Sequence, residues 1–272
     1  MKRLSGLLVL IACGSEVEAP AVSRSTVLQT LTFAREEPEG VSLGLDLDGF
    51  QSGPNDGRGC NKTDFLDPQG RPGVDNELGR LLPLVDLAGE GALQGLIQGA
   101  INDGQLLVIL ETSERDDGTL GLIARRGADT PLLGTDGRIL AGQTLGVAAE
   151  DPILGEGVAT LGADGVYQTA PFRLRLPIIV FSLLYVVDLP SAILRFTYQN
   201  DGNISQGLIA GGIPVAQLIT ILQQASEFGG DFEGLFGDAL IASGDLERDL
   251  SGNCTATSMA VGFDAVPSFT FE

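Results

Sequence analysis

From Gln105 onward the chain is a succession of short apolar runs cut by tight-turn signals, and that spacing restricts it to a β-rich fold. Candidate strands are Leu106 to Glu111, Leu120 to Arg126, Arg138 to Leu140, Val158 to Leu161, Tyr167 to Leu176, Leu183 to Asp188 and Ala192 to Tyr198. Asp117-Gly118, Asp136-Gly137, Asp164-Gly165 and Asp201-Gly202 lie between them. Such pairs close tight hairpins because Gly, and to a lesser degree Asp, tolerates positive φ. Thr26 to Ala34 and Val41 to Asp46 supply earlier strands, and Thr255 to Phe263 and Ser268 to Phe271 supply the last two. The pattern predicts a mainly β fold, an antiparallel β-sandwich or barrel-like core packed with two or three helices.

The helices are legible from their period. Between Asp75 and about Ile101, Leu78, Leu81, Leu82 and Val85 keep the spacing of one helix face, with Pro83 a kink. Gly91, Gly95 and Gly99 follow four apart, a spacing that lets backbones approach closely, here against the domain's own sheet. Pro214 suits the first residue of a second helix whose stripe is Val215, Leu218, Ile219 and Leu222. Asp231 to Ala242 forms a short third. The nearly continuous apolar run Ile178 to Val187 reads as central core strands, with the wall of an apolar ligand cavity as the alternative.

Leu45 to Arg80 joins the strand-like start to the first helix and is dense in Asp, Asn, Gly and Pro. Calcium takes six to eight oxygens at flexible distances, which closely spaced Asp and Asn provide. The preferred ligands in this acidic loop, residues 46–76, are Asp46, Asp48, Asp56 and Asp75. Asp46-Leu47-Asp48-Gly49 opens like a calcium loop, but no Glu stands where an EF-hand needs one. Turn-forming composition alone accounts for the same residues without a metal.

Lys2 and Arg3 precede the short apolar core Leu7 to Ile11, the layout of a secretory signal. The core ends in Leu10-Ile11-Ala12-Cys13, which resembles the lipobox of bacterial lipoproteins. That resemblance implies cleavage before Cys13 and acylation of the new terminus. The DLDG and GVDN elements of the acidic loop are similar only to uncharacterised secreted lipoproteins. The chain then divides into a signal peptide over 1–12, a lipidated tether over 13–24 and one mainly β domain over 25–272. Its expected place is the cell envelope, at the outer membrane on the periplasmic or surface side, with the membrane surface as a partner.

Without Lys2 and Arg3 the 16 basic residues fall to 14 against 36 acidic ones, a balance that repels nucleic acid. Once Cys13 is lipidated, Cys60 and Cys254 remain, and in an exported protein they pair economically as a disulfide. The chain has no His, which removes His-dependent nucleophilic catalysis and every imidazole zinc site. No Gly-x-Ser-x-Gly and no phosphate loop ending in Lys occurs. The expectation is therefore a non-enzyme: a membrane-anchored binding or envelope-structure module stabilised by calcium, acting on a protein, glycan or lipid partner. The alternatives are a carrier or chaperone for an apolar ligand, and a carboxylate-based hydrolase.

Overall fold

Strand β1 (Ser23–Phe33) pairs with β4 (Val108–Glu114) on one edge and β13 (Cys254–Phe271) on the other, and this double pairing closes the main sheet. A computed structural model describes residues 23–86, 92–180, 183–226 and 232–271. The lipobox with Cys13, nearly all of the tether, and Gly91 lie outside the described residues.

Two short strands, β2 (Phe65–Leu66) and β3 (Pro72–Val74), form a hairpin within the acidic segment, ahead of α1 (Glu77–Asp86) and α2 (Ala92–Asn102). After β4 come β5 (Leu120–Arg126), β6 (Gln143–Gly146), β7 (Ile153–Leu161), β8 (Tyr167–Thr169), β9 (Phe172–Val180), β10 (Leu183–Phe196) and β11 (Ile204–Pro214). The last elements before β13 are α3 (Val215–Ser226), α4 (Phe232–Ala242) and β12 (Leu246–Arg248). Strands β8 and β9 act as one interrupted strand, so the closed circuit β1-β4-β5-β7-β8/β9-β10-β11-β13 is an eight-stranded antiparallel barrel.

An eight-stranded barrel is just wide enough for side chains to fill it. The Thr112 and Tyr198 hydroxyls lie 2.8 Å apart. They come from segments that are not sheet neighbours, so the bond crosses the interior and fixes which face points inward. Inward residues include Leu110, Leu122, Leu194, Ile209 and Phe263, all buried in one cluster. At the same end Tyr167 stacks on Phe196, and Phe196 meets Tyr198 edge to face with ring centroids 5.5 Å apart. An apolar gap lined by Leu31, Ile97, Leu176 and Met259 measures only about 20 Å³.

Glycine makes room for the larger rings. Gly207 pairs with Phe263, and a Cβ there would run into the Phe263 ring. Gly207→Ala is expected to lower stability by about 1–3 kcal/mol, because a packed core yields poorly to an added methyl. A urea melt with an unchanged midpoint would contradict this packing.

The barrel has two distinct ends. The β4–β5, β7–β8 and β10–β11 turns lie at the end where β1 begins, since Ser23 is beside Ser113 and Arg24 sits over the Tyr198 ring. At the other end, α2 packs on β1 and β9 through Ile97, Ala100 and Ile101, α1 packs on β13, and α3 on β11 and β13. The segment after β1 leaves this end and runs over the outside wall. There Leu45 and Leu47 pack with Leu208, Ala210, Ala260 and Ile193 in a second, smaller core.

Several expectations shift. Val41 to Asp46 makes only isolated bridges, to Glu36, Leu66 and Asp75, because the segment lies across the wall instead of joining it. Arg138 to Leu140 is likewise a bridged hairpin, not a strand. The two expected C-terminal strands are one, since Asp264 to Pro267 stays paired with β1. Pro214 closes β11, and the helix starts one residue later. The predicted helix from Asp75 is two helices, and four α-helices occur among the described residues. A Cβ on Gly95 or Gly99 would meet nothing, so glycine packing does not hold α2; Ile97 and Ile101 do. The apolar run Ile178 to Val187 falls where β9 ends and β10 begins, and the two strands pair there. Val187 is buried, and the side chains of 178–184 are outside the described set.

Candidate metal centre on the outer wall

The acidic segment is tied down at two points. Asn76 is buried and acts as a clamp: its Nδ2 donates to Ala34 O at 3.0 Å and to the Ser42 hydroxyl at 2.7 Å, and its Oδ1 accepts from Ala260 N at 3.1 Å. Cys60 is joined to Cys254 at the start of β13, with Cα atoms 6.2 Å apart. Both ties run to the last strand.

The Asp46 to Gly49 stretch turns tightly, with Gly49 at φ +79°. Asp46 Oδ1 accepts from Gly49 N at 2.7 Å and Asp48 Oδ1 accepts from Phe50 N at 2.8 Å. Asp75, just ahead of α1, is drawn against the same turn: its N–H donates to Leu45 O at 3.0 Å and its Oδ2 accepts from Leu47 N at 2.6 Å. One oxygen of each carboxylate is thus engaged by the backbone, and the other can turn to a shared centre. Ligand oxygens of Asp46, Asp48 and Asp75 lie within 4.8 Å of one another, a span that a cation at calcium–oxygen distances of about 2.3–2.6 Å bridges.

The fourth expected ligand stands apart. Asp56 caps the short helical turn Gly57–Gly59 and accepts from Arg58 Nη2 at 2.6 Å, so its carboxylate is engaged elsewhere. That contact holds it down at about 2, whereas Asp48, Asp64 and Asp75 move the other way. Burial raises Asp48 and Asp64, and Asp46 adds to both. Asp75, only 5% exposed, is pushed up to about 8, chiefly by burial, with Asp48, Asp64 and Asp245 adding to it. Asp64 accepts from Ser52 N at 2.6 Å and belongs to the same acidic field, although it is not among the expected ligands.

Asp245 escapes sequence reasoning. It sits ahead of β12 in an ordinary turn, 170 positions from Asp75, and no local signal marks it. Burial raises it to about 7, against the opposing effect of the hydrogen bonds from the Ser258 hydroxyl and Ser258 N. The Ser258 hydroxyl in turn accepts from Glu77 N at 2.7 Å, linking the start of α1 to β13. Glu77 itself pairs with Lys62 at 3.1 Å and with Arg80. The crevice between Asp64, Asp75, Glu77 and Asp245 leaves no room for a water molecule.

A separate open cleft of about 650 Å³ lies between the Asp67 to Arg71 turn and strands β10, β11 and β13. Gln69, Arg71, Arg195, Gln199 and Gln206 bring polar groups to it, above a bulge where Gln206 takes φ +57°. Its volume is that of a small-ligand site. No helix among the described residues is long and apolar enough to cross a membrane. No protein-family model matches the chain, and no curated protein or solved structure shows significant similarity to it.

Proposed function

We propose that the protein is a lipid-anchored, non-catalytic binding module of the cell envelope, acylated at Cys13 and stabilised by calcium bound to Asp46, Asp48 and Asp75. The observation that carries the calcium reading is the convergence of those three carboxylates on a segment tied to β13. Without a cation they repel one another, and Asp75 holds a proton near neutrality; a divalent ion replaces that proton and satisfies all three. The filled barrel interior favours this reading over a carrier of apolar ligands, and the cleft beside Arg71 and Arg195 is the place for a ligand.

A thermal melt with calcium, with magnesium and with EDTA tests the site. Calcium should raise the midpoint by several degrees over EDTA, since an ion bound only by the folded state stabilises it by mass action. Asp46→Asn and Asp48→Asn should each lose most of that shift, and Asp56→Asn should keep it. Equal midpoints in calcium and EDTA would reject the metal.

One observation favours a second reading, a carboxylate-based hydrolase: Asp75 and Asp245 are both raised toward the range of a general acid. Their crevice admits no water, so a substrate could reach them only if the strap over residues 45–76 lifted. Hydrolysis of ester or glycoside reporters that is lost in Asp245→Asn would support that reading.

A further inference from the structure

Beyond Ser268, β13 leaves its pairing with β1 and runs parallel to β6 as far as Phe271. The backbone there is well held: Val147 N donates to Phe271 O at 3.1 Å, and the Thr270 hydroxyl donates to Glu111 Oε1 at 2.7 Å. Yet Phe269 and Phe271 are 63% and 55% exposed. Leu132 and Leu140 are exposed near the start of β6, joined to it through the Gln143 side chain, which bonds the backbone of both. An apolar patch on a paired strand of so acidic a chain marks an interaction surface.

Its position says what it meets. Ser268 is paired with Ser25, so the tail carrying Phe269 and Phe271 sets out beside the start of β1 and crosses the outer wall over β4. Only the stretch from Gly14 to Val22 lies between Cys13 and the start of β1, a short reach that keeps this part of the wall at the lipid surface once Cys13 is acylated. The neighbouring β4–β5 turn carries Asp116 and Asp117, and the chain's net charge is −20, so anionic headgroups are disfavoured.

We propose that the wall beside the tether rests on a zwitterionic bilayer, with Phe269 and Phe271 inserted at the headgroup level. The inference rests on the lipid-anchor reading. Phenylalanine, like tryptophan and leucine, serves on the apolar face of interfacial segments, where it is buried at the boundary between headgroups and acyl chains. Leu250, fully exposed in the β12–β13 turn, lies at the opposite end of β13. The strand from Cys254 to Ser268 covers roughly 45 Å at about 3.3 Å per residue, so Leu250 serves as a marker far from the patch.

The chain has no tryptophan, so a single introduced one reports its own position. Phe271→Trp and Leu250→Trp variants would be compared on phosphatidylcholine vesicles containing brominated lipid. Each would be attached twice: through its natural terminus, and through a hexahistidine placed ahead of Gly14 on nickel-chelating lipid. Phe271→Trp should shift to shorter wavelength and lose about half its emission or more, while Leu250→Trp stays unquenched. Anionic vesicles should give a smaller effect. No quenching of Phe271→Trp on captured protein, or equal quenching of both variants, overturns the proposal. The mass of the natural terminus tests acylation independently, and the histidine-tethered arm decides the patch whatever that mass shows.

Discussion

Replacing Cys60 and Cys254 together by alanine is expected to cost on the order of 5 kcal/mol of stability, by the loop-closure entropy returned to the unfolded chain. The bond spans 194 residues, so most of the domain between β1 and β13 lies within its loop. Its local effect adds to this, because it holds the Gly57–Gly59 turn, and with it the acidic strap, against the start of β13. Reversible urea denaturation should show a large fall in midpoint with little change in folded circular dichroism. On the calcium reading proposed above, the calcium-dependent shift in melting temperature should shrink as well, since the Asp46 turn and Asp75 are drawn together by a strap anchored there. An unchanged urea midpoint would mean that the clamp at Asn76 and the small core around Leu45 hold the segment without help.

The second large effect runs with pH. Asp75 and Asp245 have folded-state values of about 8 and about 7, against an ordinary value of 3.8 for both. Each therefore holds a proton in the folded chain that the unfolded chain would release. The associated stability is present in full below about pH 4 and is lost as pH rises through 7 and 8. Across the pair the loss is on the order of 5 kcal/mol, less than two independent shifts would give because each carboxylate contributes to its neighbour's field. In EDTA the melting temperature should decline steadily from pH 5 to pH 8.5. Asp75→Asn should flatten much of that decline and raise stability at pH 8, while abolishing the calcium shift. A melting temperature in EDTA that climbs between pH 5 and 8.5 would refute the assignment of these groups as buried acids.

Those two effects meet at one structural fact: the segment from Leu45 to Asn76 is an outer strap, not a surface loop. Composition reveals that the stretch is acidic and turn-rich. It does not reveal that Leu45 and Leu47 face Leu208, Ala210 and Ala260 on the outside of the barrel. The small side chains of Ala210 and Ala260 leave room for the strap. In the sequence Asn76 is one more oxygen-bearing residue of the loop, and in the fold its amide bonds three different segments instead. The distinction depends on burial, which local composition does not encode.

Other elements are legible because their signal is local. The Asp-Gly turns fall where hairpins close, and β1, β4 and β5 begin and end near their predicted bounds. The pairing of the only two cysteines beyond Cys13 follows from counting. Leu78 and Leu82 lie on the buried side of α1, as their spacing predicts. Failures come where tertiary contact overrides pattern. Val41 to Asp46 alternates like a strand but finds only isolated bridges. Gln143 to Gly146 has little strand character and pairs anyway, because the end of β13 supplies a ready edge.

Neighbouring residues and simple totals are thus enough for a β-rich chain with amphipathic helices, a disulfide between Cys60 and Cys254, and an acidic cluster around Asp46 and Asp48. Periodicity, turn chemistry and cysteine count are properties that survive without a fold. Long-range packing alone closes the sheet on itself, brings Asp75 to Asp46 and Asp48 while Asp56 turns to Arg58, and buries Asp245 near them. Each of those outcomes is set by which distant segments share a wall, and by whether a carboxylate there meets water, a guanidinium or another carboxylate.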